Sequence, residues 1–422
     1  MLDIDALNAD FGQVGARLLE PKHRVGPVPL QGRSMRGPAK PDDDASLVLD
    51  IEIVDDWISF QPPRSLSSPL RTPGPVNPNR RSVDFGNLPG NDVHDRLRRL
   101  DAKLSPARGL RLLTTNGDLV PVTSTQPGRG LLIVHGTFSN SDAILAALKR
   151  DPTKFLGWAL HAYDHILTYD YATTSQPAIT SAMVLARLMR TFHPGDVDVV
   201  SHSQGGLVTR FWLECFDRSR LERTRAVFIA GTLAGTSLAA PASLRATLDY
   251  FANVGWVLRE SMKVASLGIP LYVAIGTLLA ILEKSLKFLS KTPIIDAGIA
   301  LVPGLVGMSR ANTNAELLEL RAAVDGCPNG YSAVIGDFDP SDPSWALWRN
   351  WKTRLANKVL DRLFDGRPND LIVDTESQSS LSDTVEIART HKFESGKAHV
   401  HHTNYFEQDP TLKFIKEQLT QS

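Results

Sequence analysis

Residues 200–206 read Val-Ser-His-Ser-Gln-Gly-Gly, and they give the strongest indication of the fold. It follows Val197-Asp198-Val199, in which valines flank one aspartate, and precedes residues 207–213, whose apolar side chains recur with the period of a helix. A strand, a sharp turn and a helix with a serine at the apex form a nucleophile elbow. The residues two before and two after the serine must be small in such a turn. Gly205 meets this requirement, whereas Ser201 stands where glycine is usual.

The segments around this turn predict alternating strands and helices. A hairpin with Asn116-Gly117 at its turn comes first. Predicted strands follow at 131–134, 166–169, 197–202, 226–230 and 331–336, and predicted helices at 139–156, 178–192, 344–364 and 409–419. This alternation predicts an α/β protein with a mostly parallel, doubly wound sheet, helices on both faces, and a site at the carboxyl ends of the strands.

Three motifs together resemble those of the α/β-hydrolase superfamily, and of its serine lipases and esterases in particular. Besides the elbow, His135-Gly136-Thr137 resembles the His-Gly-x segment of lipases. Residues 231–239 are similar to a Gly-Thr-Pro…Gly-Thr/Ser-x-Leu-Ala segment, with Leu233 in place of proline. The resemblance spans residues 110–420 and implies the α/β-hydrolase fold, with an apolar helical cap inserted after the strand at 226–230.

A catalytic triad is implied by the same resemblance. Serine is a poor nucleophile at neutral pH, so it needs a base and a carboxylate that orients the base. The superfamily order is serine, acid, histidine. We assign Ser203 as the nucleophile and Asp370, which an apolar triplet follows, as the acid; Asp374 and Asp365 remain alternatives.

For the base we assign His402, because Tyr405 and Phe406 occupy the third and fourth positions after it, where the resembling lipases carry apolar residues. His401 remains the alternative. A zinc site at His399, His401 and His402 is less favoured, since no further ligands stand at supporting spacing. We therefore expect neither a metal nor an organic cofactor.

The tetrahedral intermediate of acyl transfer needs two N–H donors. One is expected from the backbone of Gln204, directly after the serine. The other is expected from Thr137, with Phe138 as the second choice. His135 is interpreted as a structural residue that packs under this loop.

Three regions are expected along the chain. Residues 1–105 form a proline-rich N-terminal appendage with some β structure, including strands within 46–60 and a helix over 93–104. Residues 106–237 and 331–422 form the hydrolase core, and residues 238–330 form a hydrophobic helical cap or lid. Within the cap, residues 264–282 carry no charge over nineteen positions, which leaves three interpretations: a buried helix, a lid over the site, or a membrane span.

The expected function is hydrolysis of a carboxylic ester, in view of the resemblance a lipid-like one, as by a lipase or a phospholipase. An acyltransferase, a thioesterase or an amidase would use the same triad, and a membrane-acting effector is the alternative from another class. Lys+Arg and Asp+Glu both number 46, so charge gives no reason to expect nucleic acid as a partner. The acidic N-terminus and two cysteines predict a cytoplasmic protein, or one exported without a cleavable signal; contact with a membrane surface is expected through the cap.

Overall fold

A computed structural model of the chain describes residues 4–13, 15–19, 48–54, 57–61, 79–84, 93–150, 154–193, 195–237, 271–286, 302–310, 314–338, 367–394 and 400–420. The N-terminal region holds a four-stranded antiparallel sheet in the spatial order β1-β4-β2-β3. Its strands are β1 (Arg17–Leu19), β2 (Val48–Val54), β3 (Trp57–Gln61) and β4 (Arg80–Asp84). Helix α1 (Ile4–Gln13) precedes this sheet and α2 (Val93–Leu104) follows it. The strands predicted within 46–60 and the helix predicted over 93–104 are therefore confirmed.

The larger sheet has eight strands in the spatial order β12-β11-β10-β9-β7-β8-β5-β6. They are β5 (Gly109–Leu113), β6 (Leu119–Pro121), β7 (Gly130–Val134), β8 (His165–Asp170), β9 (Val197–His202), β10 (Ala226–Ile229), β11 (Tyr331–Gly336) and β12 (Thr390–Phe393). Strands β7 to β12 pair in parallel, and the hairpin β5–β6 is antiparallel at one edge. The central strands are buried along most of their length because both faces of the sheet are covered, and most of their side chains are apolar.

Helices cover both faces of this sheet. The α-helices described after α2 are α3 (Ser141–Lys149), α4 (Phe155–Ala162), α5 (Ala178–Phe192), α6 (Gln204–Arg210), α7 (Arg218–Leu221), α8 (Leu271–Leu286), α9 (Pro303–Val306), α10 (Ala315–Ala322) and α11 (Asp409–Thr420). Helices α5 and α6 contribute to one apolar core, while α3, α4 and α11 contribute to another, separate one. The chain thus has the α/β-hydrolase fold, as the motifs led us to expect.

The structure differs from the predicted elements at two places. The single helix predicted over 139–156 is instead two helices, α3 and α4. Strand β12 was not predicted, because its sequence Thr-His-Lys-Phe lies at the sheet edge, where one buried apolar residue, Phe393, suffices. The helix predicted over 344–364 lies outside the described residues.

The uncharged stretch 264–282 is described only in its second half, where it forms part of α8. The described side chains of this helix are buried, including Val273, Ile275, Leu278 and Ile281. They pack in the same core as α2 and β2 of the N-terminal region. Among the described residues, no helix is long and apolar enough to cross a membrane. Residues 271–286 therefore match the buried-helix interpretation.

Candidate active site

Ser203 lies at the turn between β9 and α6, in the conformation that an elbow requires. Its backbone has φ 55° and ψ −124°, a region that residues other than glycine seldom adopt. Two glycines let neighbouring segments approach the turn. A Cβ on Gly136 would lie 2.7 Å from the Cβ of Ser203, and one on Gly205 would lie 2.6 Å from the carbonyl oxygen of His135. The backbone N–H of Ser203 also donates to the carbonyl of Ile229 (3.0 Å), which ties the elbow to β10.

Ser201, the departure from the usual glycine, is accommodated inside the sheet. It is fully buried on β9, paired with Val134 on one side and Phe228 on the other. Its hydroxyl oxygen has no hydrogen-bond partner among the described residues. A buried hydroxyl without a partner costs about 1–3 kcal/mol, so this side chain is tolerated sterically and destabilises the fold.

The structure brings Ser203, His402 and Asp370 into one hydrogen-bonded relay. His402 Nε2 lies 2.9 Å from Ser203 Oγ, and His402 Nδ1 lies 2.9 Å from Asp370 Oδ2. All three side chains are buried. The hydroxyl can pass its proton to the imidazole, while the carboxylate orients the ring and balances its charge.

Asp370 is held by more than the histidine. Its Oδ1 accepts hydrogen bonds from the backbone N–H groups of Ile372 (3.1 Å) and Val373 (2.8 Å). Its Oδ2 also accepts one from the hydroxyl of Tyr405 (3.1 Å). Burial and the nearby Asp370 raise the pKa of Tyr405 well above its ordinary value, so its hydroxyl stays protonated and can donate. Sequence reasoning used Tyr405 only as an apolar marker for the base and missed this contact.

The base loop is fixed to the elbow by His202. The Nε2 of His202 lies 2.8 Å from the carbonyl oxygen of His402, to which it donates as N–H. The two imidazole rings lie 4.8 Å apart, centroid to centroid. Desolvation and the nearby His402 lower the pKa of His202 to about 3, so it is neutral at physiological pH. A neutral neighbour matters, because a second cation would oppose protonation of His402.

The alternative acid Asp374 takes no part in this relay. The Asp374 carboxylate binds the backbone N–H and hydroxyl of Ser237 (2.9 Å each) and the guanidinium of Arg310 (2.9 Å). It therefore joins three segments beside the site without contacting His402. Asp365 lies outside the described residues.

The alternative base, His401, points elsewhere. Its Nδ1 lies 3.2 Å from the hydroxyl of Thr403, and burial lowers the pKa of His401 to about 3. His399 lies outside the described residues. Within the part of the chain that is described, no group of three or more potential metal ligands occurs.

The two residues predicted to supply the N–H donors are in side-chain contact. The hydroxyl of Thr137 donates to the side-chain oxygen of Gln204 (3.2 Å). Within the described residues, the backbone N–H groups of Thr137 and Gln204 make no hydrogen bond. The second choice, Phe138, is different, because its N–H donates to the hydroxyl of Thr173 (3.3 Å). His135 is fully buried next to this loop, with its ring stacked on Tyr171.

Comparison with known proteins gives one family match and several remote structural likenesses. The model of a family described as a domain of unknown function, DUF7379, matches residues 111–420. No curated protein matches the chain. Solved structures with a similar fold include Est816, described as an N-acyl homoserine lactone degrading enzyme (13% identity, 74% of this chain and 100% of that one, TM-score 0.37). Others are the mature lipase BlEst2 from Bacillus licheniformis (16%, 72% and 96%, 0.37) and lipase 1 from Pelosinus fermentans (14%, 71% and 100%, 0.40). All of these likenesses are remote; the order and direction of the strands and the elbow at Ser203 themselves define the fold.

Proposed function

The chain belongs to the DUF7379 family, and we propose that it is a serine hydrolase that cleaves carboxylic esters through an acyl-serine intermediate. One observation carries this proposal: Ser203 stands in a positive-φ elbow, 2.9 Å from a histidine whose other nitrogen lies 2.9 Å from a buried carboxylate. A buried serine with only a structural role has no need of a strained backbone or of this relay.

In the proposed mechanism Ser203 Oγ attacks the ester carbonyl as His402 Nε2 takes its proton. The oxyanion that forms accepts hydrogen bonds from the backbone N–H groups of Gln204 and Thr137. His402 then gives the proton to the leaving alcohol, and the acyl group stays on Ser203. A water molecule, activated by the same imidazole, attacks the acyl-serine, and the acid leaves with Ser203 restored. Asp370 orients His402 in both halves of the reaction.

We propose a lipid-like ester as the substrate. Apolar side chains contact two residues that neighbour the reacting groups: the Met308 sulfur lies 3.1 Å from the hydroxyl of Thr137, and the Phe406 ring lies 5.8 Å from that of His202. Phe138 follows Thr137 directly in the chain, with a positive φ of 55°. Apolar groups in these positions favour an acyl chain over a charged substituent.

The test measures hydrolysis of p-nitrophenyl esters with short and long acyl chains. The variant Ser203→Ala should lose about 10⁴-fold or more in kcat, since it removes the nucleophile. Ser201→Ala is the matched control: it removes a neighbouring buried serine whose hydroxyl has no partner, so its activity should stay within a few-fold of the wild type. Turnover by Ser203→Ala equal to that of the wild type would end the serine-hydrolase proposal. Preference for the shortest chain would count against a lipid-like substrate.

A further inference from the structure

We infer that helix α2 of the N-terminal region positions the oxyanion hole through the carboxylate of Asp101. This inference rests on the proposed function, because it concerns the two N–H groups assigned to the oxyanion. Asp101 is a positioning residue in this view: it lies away from the reacting atoms and acts through a series of hydrogen bonds.

The carboxylate of Asp101 is bound by successive backbone N–H groups of the loop after β8. Its Oδ1 accepts hydrogen bonds from the N–H groups of Thr173 (3.0 Å) and Thr174 (2.9 Å), and its Oδ2 accepts one from that of Ser175 (2.8 Å). The hydroxyl of Ser175 adds a fourth (2.6 Å). Three successive N–H groups around one anion form a nest, and this nest is occupied by a side chain that is 1% exposed. The carboxylate therefore determines the shape of the loop.

The loop that Asp101 shapes holds two further segments. The hydroxyl of Thr173 accepts the N–H of Phe138 (3.3 Å), the residue after the proposed donor Thr137. The carbonyl of Thr174 accepts the N–H of Gly304 (3.0 Å). Gly304 packs so tightly here that a Cβ on it would lie 1.9 Å from the carbonyl oxygen of Thr173. Both segments thus take their position from residues 173–175.

The same two segments meet again at the elbow. The carbonyl of Gly304 accepts a hydrogen bond from the Gln204 side-chain amide (3.1 Å), and the oxygen of that amide accepts one from the hydroxyl of Thr137 (3.2 Å). A ring of contacts therefore runs from Thr173 through Phe138, Thr137, Gln204, Gly304 and Thr174 back to Thr173. Both proposed oxyanion donors belong to this ring, and Asp101 binds it to helix α2.

Replacing the carboxylate of Asp101 should displace the proposed N–H donors of the oxyanion hole and leave the positions of Ser203, His402 and Asp370 unchanged. In Asp101→Asn an amide NH₂ must face at least one of the backbone N–H groups, so the loop has to relax. In Thr173→Val, Phe138 loses its acceptor while the bonds to Asp101 remain. Removing one oxyanion donor costs about 10²–10³ in kcat, so a displaced donor should cost about 10-fold or more. KM should change little, because the loss falls on the transition state.

The experiment compares a p-nitrophenyl ester with the corresponding thionoester, whose sulfur accepts hydrogen bonds from the hole poorly. We expect kcat for the ester to fall about 10-fold in Asp101→Asn and Thr173→Val, and kcat for the thionoester to fall less than about 3-fold. The matched control is Asp198→Asn. Asp198 is also a buried carboxylate, bound to Tyr163, Arg129 and Arg225, but it stands near the start of β9, about 17 Å along the strand from Ser203.

The outcomes separate this inference from the proposed function. Equal falls for ester and thionoester, or a changed ratio in Asp198→Asn as well, would overturn the positioning role. Should Asp101→Asn not fold, Thr173→Val decides by the same ratio. Labelling of the wild type at Ser203 by a fluorophosphonate tests the nucleophile independently. An unlabelled wild type would overturn the proposed function and the positioning role with it; a labelled wild type with unchanged ratios in both variants overturns the positioning role alone.

Discussion

Asp370→Asn should lower kcat by about 10⁴-fold, or about 5.5 kcal/mol in activation free energy, with little change in KM. The structure gives the reason, because it determines how the new amide must turn. Oδ1 of Asp370 accepts two backbone hydrogen bonds, from Ile372 and Val373, so the amide oxygen has to take this position. The NH₂ group then faces His402 Nδ1 and the hydroxyl of Tyr405.

An NH₂ group at that place imposes the wrong tautomer on the base. His402 Nδ1 has to become the acceptor, so Nε2 carries the proton and points it at Ser203 Oγ, 2.9 Å away. The imidazole can then no longer take the proton of the serine. The geometry of the site is preserved while its proton transfer is blocked, which is why the loss should appear in kcat.

The assay is steady-state hydrolysis of a p-nitrophenyl ester across pH, with the fraction folded checked by thermal unfolding. Asp374→Asn is the control. The carboxylate of Asp374 is as buried as that of Asp370 and stands four residues away. It binds Arg310 and Ser237 and does not contact His402. This control should lose stability and keep kcat within a few-fold. A loss below about 10-fold in Asp370→Asn, or the larger loss in Asp374→Asn, would refute our assignment of the acid.

Three further predictions follow from the same site. First, His402→Ala should abolish ester turnover, whereas His401→Ala should retain most of it in kinetic assays; loss in His401→Ala alone would make His401 the base. Second, Tyr405→Phe removes one hydrogen bond to the carboxylate, so kcat should fall by a factor of about 5–10, corresponding to about 1 kcal/mol; an unchanged kcat would show that this bond does not help to orient the acid. Third, the pKa values of His202 and His401 are lowered to about 3 in the fold from an ordinary 6.5. The unfolded chain binds more protons between these values, so stability is complete above pH 6.5 and falls below it, by about 2 kcal/mol per histidine at pH 5. Denaturant unfolding at pH 5 and 7 measures this loss of stability, which should be smaller in His202→Asn. An equal loss in that variant would contradict the lowered pKa of His202.

The position of the elbow was readable from a short stretch because its constraints are local. A strained serine between a strand and a helix needs small neighbours, and Gly205 supplies one of them in the sequence itself. The buried parallel strands were readable for a similar reason, since strands covered on both faces are mostly apolar, as β7 and β10 are. Strand β12 was missed because an edge strand is free of that demand.

The apolar stretch 264–282 shows where this reasoning stops. Hydropathy indicates how much apolar surface has to be covered. It does not indicate which helix or strand of the protein covers that surface. Its described part, in α8, packs against α2 and β2, elements that stand about 170 residues or more earlier in the chain. A contact between such distant segments depends on the whole arrangement of the fold.

Strand periodicity and turn sterics act within a few residues, so the class of fold, the nucleophile candidate and the chain order of serine, acid and histidine could be predicted from local sequence. The tertiary structure was needed to see that Asp370, not Asp374, contacts the imidazole of His402, and that His402, not His401, contacts Ser203. These pairs are alike in residue type and lie one to four positions apart, so they differ only in the direction in which their loops turn the side chains. The contacts of His202, Tyr405 and Asp101 were decided in the same way, since each depends on a partner brought near by packing.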